Sequence, residues 1–436
     1  MDKRLLILGC NDIARRLLDE LCRDRTIATG ICLASRHKQE CDELKKMAES
    51  RGVRVMTSGI DVSNVEGAML MVKIFAPDLV INLLPPELAP GAMDLAAKAG
   101  ADYIDGRLFG VPDAPSATSL LSEQFNKFGQ FKTAGKTAVC GAGFVPGVVT
   151  TVARNAAFRD FDKVSGIDIV RIKGDGKSNA GSGTTEYDDT LYAEDIKAPA
   201  SSSDVKKPDA KEQTKDTGKD TVFYIEGGKS TSADNSRFKA KSSAGRDVVL
   251  SNSAVVTDFL KEIPEIQNVR FFAPGSAAPA KVVHRPPEDK IELLKSLGLL
   301  SDKPVKVGNA SIAPVDLVAE VLPKMSSPEK SQEKAEGPAK GKAYLEIYIT
   351  GEKAGKQLTK LYKLELDNDE CMEKYKVDAA EYVEGAAIIA AVKLMCKDKW
   401  KKPGVFSPSS FDSSLFYSAL QAEGIEIKET ESKPLL

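Results

Sequence analysis

Apolar and polar positions alternate in blocks along the first 140 residues, where short apolar runs are followed by stretches with helical spacing. The apolar runs predict strands at 4–8, 29–34, 53–57, 79–84, 101–104 and 137–140. The stretches between them repeat apolar residues three and four positions apart and predict helices at 12–23, 38–51, 64–75, 87–99 and 113–134. Strands that alternate with helices imply right-handed crossovers, so this α/β pattern predicts a doubly wound parallel sheet of the Rossmann type.

After residue 143 the spacing changes to alternation, which is typical of strands with one buried face. Alternating or β-rich runs occupy 164–172, 222–228, 247–252, 269–274, 343–351 and 360–366. The last two runs flank the polar link EKAGKQ and predict a hairpin, while helical spacing appears at 254–261 and 288–299. This part of the chain is therefore expected to be an α+β middle domain with a mainly antiparallel or mixed sheet.

Composition indicates an ordinary globular protein. Of the 436 residues, 42% are hydrophobic and 28% are charged, and the net charge of −2 gives no support for nucleic-acid or anionic-membrane binding. The apolar segment 385–395 is too short to span a bilayer. Two polar stretches, 197–220 and 326–342, have little to bury and are expected to be solvated loops.

Cysteine and histidine usage narrows the possible chemistry. The 7 cysteines form no CxxC pair, a pattern that favours reduced thiols and a cytoplasmic location. Histidine occurs only at His37 and His284. A His-based metal cluster or catalytic triad is therefore not expected, and no metal site is assigned.

The first strand–helix junction, LLILGCNDIARRLLDEL at 5–21, has the pattern of a dinucleotide-binding turn. In the usual G-x-G-x-x-G motif the first glycine permits the tight turn, the second admits the pyrophosphate and the third allows close helix packing. Gly9 keeps the first position, Asn11 replaces the second and Ala14 is an accepted substitute for the third. Asp12 brings a carboxylate to the helix N-terminus, where it would repel a phosphate that it faced. Two interpretations stay open: a cofactor turn, or a helix capped by Asp12 that binds no nucleotide.

The end of the second predicted strand favours NADP over NAD. NAD-binding domains usually carry Asp or Glu there to bind the ribose hydroxyls. This chain has Ser35, Arg36 and Lys38 instead, and the guanidinium of Arg36 offers a planar fork to a 2′-phosphate. Cations at a helix start are unfavourable without an anion partner, which is a second reason to expect NADP(H).

Two further strand ends extend the predicted cofactor path, because ligands of open α/β sheets bind at the carboxyl ends of the strands. Asp61 and Val62 follow the third strand, near the expected adenine, and Asn82, Leu83 and Pro85 follow the fourth, near the nicotinamide ribose. The residues expected to bind the cofactor are Gly9, Asn11, Asp12, Ile13, Ser35, Arg36, Lys38, Asp61, Val62, Asn82, Leu83 and Pro85.

The segments DLVINLLPPEL (78–88), ADYIDG (101–106) and GAGFVPGVV (141–149) resemble the saccharopine dehydrogenase family in content and order. Later segments are similar to its carboxynorspermidine dehydrogenase branch, namely 308–323, 382–395 and 398–416. The resemblance covers most of the chain outside the two polar stretches.

This resemblance implies a Rossmann domain at 1–140, a substrate and dimerisation domain at 141–380, and a segment at 381–436 that returns to the Rossmann side. It implies a homodimer that uses a nicotinamide cofactor to form or oxidise a carbon–nitrogen bond of a small amino-acid or polyamine substrate. In this branch NADPH reduces an imine formed from aspartate semialdehyde and a diamine. Two alternatives stay open: a saccharopine or lysine dehydrogenase-type enzyme, and a catalytically silent binding subunit. Val145, where the family commonly has Asp, favours the silent subunit.

The candidate reacting groups are residues expected near the cleft. The candidate proton donors are Asp105, which matches the family's Tyr-Ile/Leu-Asp position, Cys140 and Tyr187. Arg107 is a candidate for binding the substrate carboxylate, and Glu186 begins an acidic run suited to a diamine. The residues expected to shape the wall beside the nicotinamide are Phe144, Pro146 and Gly147.

Overall fold

A computed structural model gives the structure of the chain. It describes residues 3–36, 38–85, 88–106, 124–174, 185–188, 212–213, 221–253, 255–256, 259, 263, 265–274, 281–284, 288–301, 303–307, 310–321 and 340–436. The chain divides into two compact units, one made of 1–181, 219–276 and 338–436, the other of 182–218 and 277–337.

The elements are numbered in chain order. The strands are β1 Arg4–Leu8, β2 Gly30–Ser35, β3 Met56–Gly59, β4 Leu79–Asn82, β5 Asp102–Asp105, β6 Thr137–Val139, β7 Lys163–Ile172, β8 Thr185–Asp188, β9 Glu212–Gln213, β10 Thr221–Glu226, β11 Lys229–Asp234, β12 Lys239–Lys241, β13 Asp247–Leu250, β14 Asn268–Pro274, β15 Lys281–His284, β16 Val305–Val307, β17 Ala310–Ile312, β18 Lys342–Lys353, β19 Lys356–Asp367, β20 Gly404–Phe406 and β21 Lys428–Ser432. The helices are α1 Asp12–Arg23, α2 Lys38–Ser50, α3 Val65–Phe75, α4 Ala89–Ala99, α5 Phe128–Thr133, α6 Val149–Asp160, α7 Glu288–Ser296, α8 Pro314–Val321, α9 Asn368–Tyr375, α10 Ala379–Cys396 and α11 Ser413–Ala422.

The first unit contains the predicted parallel sheet, in the order β20-β6-β5-β4-β1-β2-β3. Its strands are buried on both faces, which explains their continuous apolar runs. In β1, Leu5 and Ile7 join one hydrophobic core while Leu6 and Leu8 join another. The Rossmann prediction is confirmed.

The third strand begins later than its apolar pattern indicates. The pattern predicted 53–57, whereas β3 is Met56–Gly59. Val53 N–H instead donates to Ala48 O at 3.0 Å, beyond the positive φ of Gly52, and so closes the end of α2. The fifth predicted helix, 113–134, lies partly outside the described residues, and α5 covers only its end.

The C-terminal segment contributes directly to the Rossmann sheet. β20 pairs in parallel with β6 and adds a seventh strand to that sheet. The helix α10 is buried over most of its length and packs against α1. Arg16 of α1 donates to Tyr382 O at 2.5 Å, and Gly385 makes room for it, since a Cβ there would lie 2.7 Å from the guanidinium.

The same unit also holds a large mixed sheet of nine strands. β18 and β19 form the predicted hairpin, with Lys342 opposite Asp367 and Lys353 opposite Lys356. β7 pairs antiparallel with β18 but parallel with β14, which makes the sheet mixed. The prediction of a mainly antiparallel or mixed middle sheet is confirmed.

The second unit has its own small sheets. β15 lies between β8, to which it is parallel, and β9, to which it is antiparallel. β16 and β17 form an antiparallel pair. In the described parts of the chain, no helix combines the length and apolar character that crossing a membrane requires.

The expectation of reduced cysteines is wrong at one pair. Cys10 and Cys41 form a disulfide that links the turn after β1 to α2. The cysteines are 31 residues apart in sequence, but β1 and β2 are neighbouring strands, so the segments that follow them meet. The five remaining cysteines are buried free thiols, namely Cys22, Cys32, Cys140, Cys371 and Cys396.

Candidate functional site

The turn after β1 depends on Gly9. Its φ is +99°, and a Cβ there would lie 3.1 Å from the backbone carbon and oxygen of Leu83. A side chain would therefore be strained and would also push β1 away from the end of β4. Gly9 N–H donates to Ala34 O at 2.8 Å, which ties the turn to β2 as well.

Asn11 acts as the cap of α1. Its Oδ1 accepts a hydrogen bond from Ala14 N–H at 3.0 Å, and its Nδ2 donates to Leu83 O at 3.0 Å. Its φ of −93° is open to any residue, so the turn does not need glycine there. The interpretation in which Asp12 caps the helix is wrong, because Asn11 fills that role.

Asp12 faces away from the protein. Its side chain is 64% exposed, and its Oδ1 lies 3.8 Å from Arg15 Nε. A solvated carboxylate beside a cation repels a phosphate only weakly. The next residue, Ile13, is apolar and its side chain is buried against the core.

The predicted 2′-phosphate end lies where β2 and β3 finish. Ser35 is buried, and Arg36 is exposed directly after it. Asp61 is held by Ser63, whose two hydrogen bonds lower the pKa of the Asp61 carboxyl, and the charge of Arg36 lowers it further. Arg36 therefore lies in the neighbourhood of Asp61, while the side chain of Lys38 is outside the described residues.

Val62, which follows Asp61, lies against the N-terminal turn of α4. A Cβ at Gly91 would collide with the Val62 carbonyl, so Gly91 allows this close approach. The Val62 side chain itself is buried in the core.

A cavity of about 200 Å³ lies at the carboxyl ends of β1, β4 and β5. It brings together cofactor residues predicted from separate strands with the predicted acid Asp105. Its described lining is Asn11, Ile13, Asn82, Leu83, Leu84, Pro85, Asp105, Gly106, Glu384 and Ile388.

Asp105 is buried at the end of β5, where three donors reach its carboxylate. Gly141 N–H donates to Oδ1 at 2.6 Å, and Tyr103 Oη and Gln124 Nε2 each donate to Oδ2 at 2.9 Å. Asn82 Nδ2 donates in turn to Tyr103 Oη at 2.9 Å, so the network joins β4 to β5. The ends of these two strands are therefore held by side-chain hydrogen bonds as well as by the sheet.

The surroundings of Asp105 bring the pKa of its carboxyl close to neutral pH. Burial raises its pKa to about 7, its three donors act in the opposite direction, and the nearby charge of Glu384 adds to the increase. A pKa near the operating pH suits a general acid or base.

Cys140 lies in a different environment. Burial, with a smaller contribution from the charge of Asp105, raises the pKa of its thiol well above the ordinary value. The thiol is fully buried, and Cys140 is not among the described residues that line the cavity. Its predicted role stays a prediction.

Glu384 was missed by the sequence analysis and forms a second acidic wall. It lies on α10, only 7% exposed, and its Oε2 accepts a hydrogen bond from Phe144 N–H at 2.6 Å. A Cβ at Gly106 would lie 2.7 Å from Oε1, and one at Gly143 would also collide with it. The sequence feature that could have pointed to Glu384 is a single acid within the apolar run YVEGAAIIAAVKLM.

Phe144, Pro146 and Gly147 are buried at the start of the segment that leads into α6. The Arg171 guanidinium carbon lies 4.8 Å from the centroid of the Phe144 ring. A Cβ at Gly147 would lie 2.7 Å from Gly141 O, so this position requires glycine.

Three other predicted site residues have side chains outside the described part of the structure. Arg107 lies outside the described residues. Tyr187 and Glu186 belong to β8 of the second unit, and their side chains are outside the described residues as well.

Residues 5–139 match the family model described as the saccharopine dehydrogenase NADP binding domain. The match confirms the NADP(H) prediction, and the chain is an NADP-dependent oxidoreductase with a saccharopine dehydrogenase-like NADP-binding domain.

Similarity to individual proteins extends over the whole chain. Carboxyaminopropylagmatine dehydrogenase from Synechocystis sp. is 24% identical over 99% of this chain and 98% of its own. Carboxynorspermidine synthase from Vibrio cholerae is 21% identical over 99% of this chain and 97% of its own. Saccharopine dehydrogenase (L-Glu forming) from Saccharomyces cerevisiae shares the fold, with a TM-score of 0.59 and 14% identity over 99% of this chain and 100% of its own.

Proposed function

We propose that this protein uses NADPH to reduce the imine formed between aspartate semialdehyde and a diamine or related amine, giving a carboxylated polyamine. One observation carries the proposal: a single cavity adjoins both the cofactor turn, through Asn11 and Ile13, and two acidic side chains, Asp105 and Glu384. A cavity with acids on its wall suits a cationic amine beside a cofactor.

The residues of the Rossmann sheet fit an NADP molecule. The turn at Gly9 and the start of α1 would hold the pyrophosphate, Ser35 and Arg36 the 2′-phosphate, and Asn82 and Pro85 the nicotinamide ribose. When bound, the cofactor supplies the hydride. The protein's share is to bind and orient the imine, to exclude water and to supply a proton.

Asp105 is the proposed proton donor. It lines the cavity, and its pKa of about 7 leaves a substantial protonated fraction at neutral pH. The proton would go to the amine nitrogen of the product. Phe144 and Gly147 would then shape the wall against which the substrate lies.

The names of the two relatives support the substrate class. Both are described as enzymes of carboxylated polyamines, and both align with almost the full chain. A saccharopine or lysine dehydrogenase-type substrate remains the second candidate, favoured by the fold shared with the yeast enzyme. The turn geometry disfavours a silent subunit, since Asn11 preserves the helix start and Asp12 faces solvent.

The test is a spectrophotometric assay of NADPH oxidation by the purified chain with aspartate semialdehyde and one amine at a time. The amines are 1,3-diaminopropane, putrescine, agmatine and lysine, and the product is identified by mass spectrometry. Oxidation that requires both aldehyde and amine, with a carboxylated polyamine as product, is expected. Turnover with lysine alone, or with none of the amines, would contradict the proposal.

We also propose three properties of the whole protein. They are a homodimer, a cytoplasmic location, and the domain limits 1–140, 141–380 and 381–436. Light scattering of the purified protein tests the first, and a mass of about 47 kDa, that of a single 46.9 kDa chain, would contradict it.

A further inference from the structure

The Cys10–Cys41 disulfide joins two parts of the predicted cofactor site. Cys10 lies in the turn after β1, directly after Gly9, and Cys41 lies on α2. The turn is expected to bind the pyrophosphate, and Arg36, which precedes α2, is expected to bind the 2′-phosphate. The disulfide therefore links the two segments between which the adenosine part of NADP would lie.

Hydrogen bonds hold each of these segments to a neighbouring strand. Gly9 N–H donates to Ala34 O at 2.8 Å, which ties the turn to β2. Thr57 Oγ1 donates to Asp42 Oδ1 at 3.1 Å, which ties α2 to β3. The disulfide joins the turn to α2 itself. Its reduction would leave each segment on its strand but would allow the distance between the two segments to change.

The two sulfurs belong to the packed core under the turn. Cys41 is fully buried in the core that also contains Leu17 and Leu33, and Cys10 is partly buried against the same core. A covalent link in this position restricts how far the turn and α2 can separate. Restricting a site to the geometry that its ligand needs raises affinity, because less ordering remains to be done on binding.

The pair has the setting of a reversible disulfide. The other five cysteines are free thiols, and in a reducing compartment, such as the cytoplasm proposed above, disulfides are usually transient and often redox-sensing. Cys10 is the partly exposed member, so an external thiolate attacks its Sγ. The S–S bond breaks, and Cys41 leaves as a thiolate that takes up a proton. The second thiol of a dithiol reductant then releases Cys10, so the pair gains two electrons and two protons while the reductant becomes a disulfide.

We propose that the Cys10–Cys41 pair is a redox switch of NADP(H) affinity, in which the disulfide form binds the nucleotide more tightly than the dithiol form. The inference depends on the cofactor class and not on the amine substrate, so it goes beyond the proposed function. Thermodynamic linkage requires the reverse effect as well, since bound nucleotide must then favour the disulfide by the same factor.

The experiment compares two states of the full-length wild type, one oxidised with glutathione disulfide and one reduced with dithiothreitol. Iodoacetamide labelling of the denatured protein, read by mass spectrometry, should count five thiols in the first state and seven in the second. After the reagents are removed under nitrogen, NADP⁺ is titrated into each state by calorimetry. Cys10→Ser cannot form the disulfide, and Cys22→Ser is the matched control because it removes a free thiol from α1.

We expect the oxidised wild type to bind NADP⁺ about 5- to 20-fold more tightly than the reduced wild type. Cys10→Ser should show the lower affinity after either treatment, whereas Cys22→Ser should respond as the wild type does. In glutathione redox buffers, saturating NADP⁺ should shift the midpoint of disulfide formation by the same factor, and a tenfold shift corresponds to about 30 mV.

Three results would overturn the inference. Seven labelled thiols after oxidation would show that the pair does not form a disulfide in solution. Affinities within about twofold in the two wild-type states, or no NADP⁺ binding by either state, would show that the pair does not control the cofactor site. A response to oxidation that persists in Cys10→Ser would assign the effect to other cysteines. Redox-dependent NADP⁺ binding together with a failed imine assay would support the switch and reject only the proposed reaction.

Discussion

Asp105 and Glu384 border the same cavity but are held in opposite ways. Asp105 ends a strand and accepts bonds from three groups, one of which, Tyr103, continues the network to Asn82. Glu384 lies on a helix more than 270 residues later, where its Oε2 accepts from Phe144 N–H and two glycines leave room for its Oε1. The first arrangement ties strands together, whereas the second joins α10 to the segments that follow β5 and β6.

Removing the Asp105 carboxylate should have the largest effect on stability. Asp105→Ala leaves three buried donors without an acceptor, and the free energy of unfolding should fall by about 3–6 kcal/mol. Urea unfolding followed by circular dichroism measures this change. Asp12→Ala, at an exposed acid, is the control and should change it by less than about 0.5 kcal/mol. A loss below about 1 kcal/mol for Asp105→Ala would show that the network does not hold the strand ends.

The second effect is a pH dependence. The Asp105 pKa is raised from 3.8 to about 7, so between these values the native protein binds more protons than the unfolded chain. The free energy of unfolding therefore decreases as the pH rises through this window, by up to about 4 kcal/mol, and is constant in this respect outside it. Asp105→Asn does not titrate and should lack the decrease. Parallel profiles for the two proteins from about pH 4 to pH 8 would contradict the raised pKa.

Gly106→Ala tests the close contact between Gly106, the residue after Asp105, and the Glu384 side chain. The new methyl group would lie 2.7 Å from Glu384 Oε1 and 2.9 Å from Ile388 Cδ1, so the Glu384 side chain must move. A loss of about 1–3 kcal/mol in the free energy of unfolding, measured by urea unfolding, is expected. Gly129→Ala, where a Cβ would have nothing within 4 Å, is the control. An unchanged free energy of unfolding in Gly106→Ala would show that the close packing of Gly106 against Glu384 is not critical.

The smallest expected effect comes from Tyr103→Phe. It removes one donor to Asp105 and leaves Asn82 Nδ2 without its acceptor, at a cost of about 1–2 kcal/mol. Because the hydroxyl lowers the pKa of Asp105, the variant should shift the pH window upward. If the pH range of the stability decrease is the same in Tyr103→Phe as in the wild type, Tyr103 does not affect the pKa of Asp105.

Most of the Rossmann domain could be predicted from the sequence, because local spacing of apolar residues specifies its strands and helices. Asn11 and Asp12 show the limit of that reading. Their residue types argued against a nucleotide, yet Asn11 makes the helix cap and Asp12 turns to solvent. The direction of a side chain at a turn depends on residues that are close in space, such as Leu83 for Asn11. A sequence motif does not contain this information.

Glu384 and the Cys10–Cys41 disulfide could not be predicted for a related reason. Both depend on contacts between segments far apart in sequence, one between α10 and Phe144, the other between a turn and α2. The sequence shows an acid in an apolar run and cysteines with no short spacing. Neither pattern specifies the partner, so fold and cofactor class were accessible while the second acidic wall was not.

We expect the turn at Gly9 to bind NADP with Asn11 in place of the usual glycine. Calorimetric titration of NADPH and NADH into the wild type, Arg36→Ala and the exposed control Arg54→Ala tests it most directly. We expect the wild type and Arg54→Ala to bind NADPH at least about tenfold more tightly than NADH, and Arg36→Ala to lose most of that preference. Equal affinity of the wild type for both nucleotides would contradict the role of Arg36, and no binding of either would contradict the cofactor turn itself.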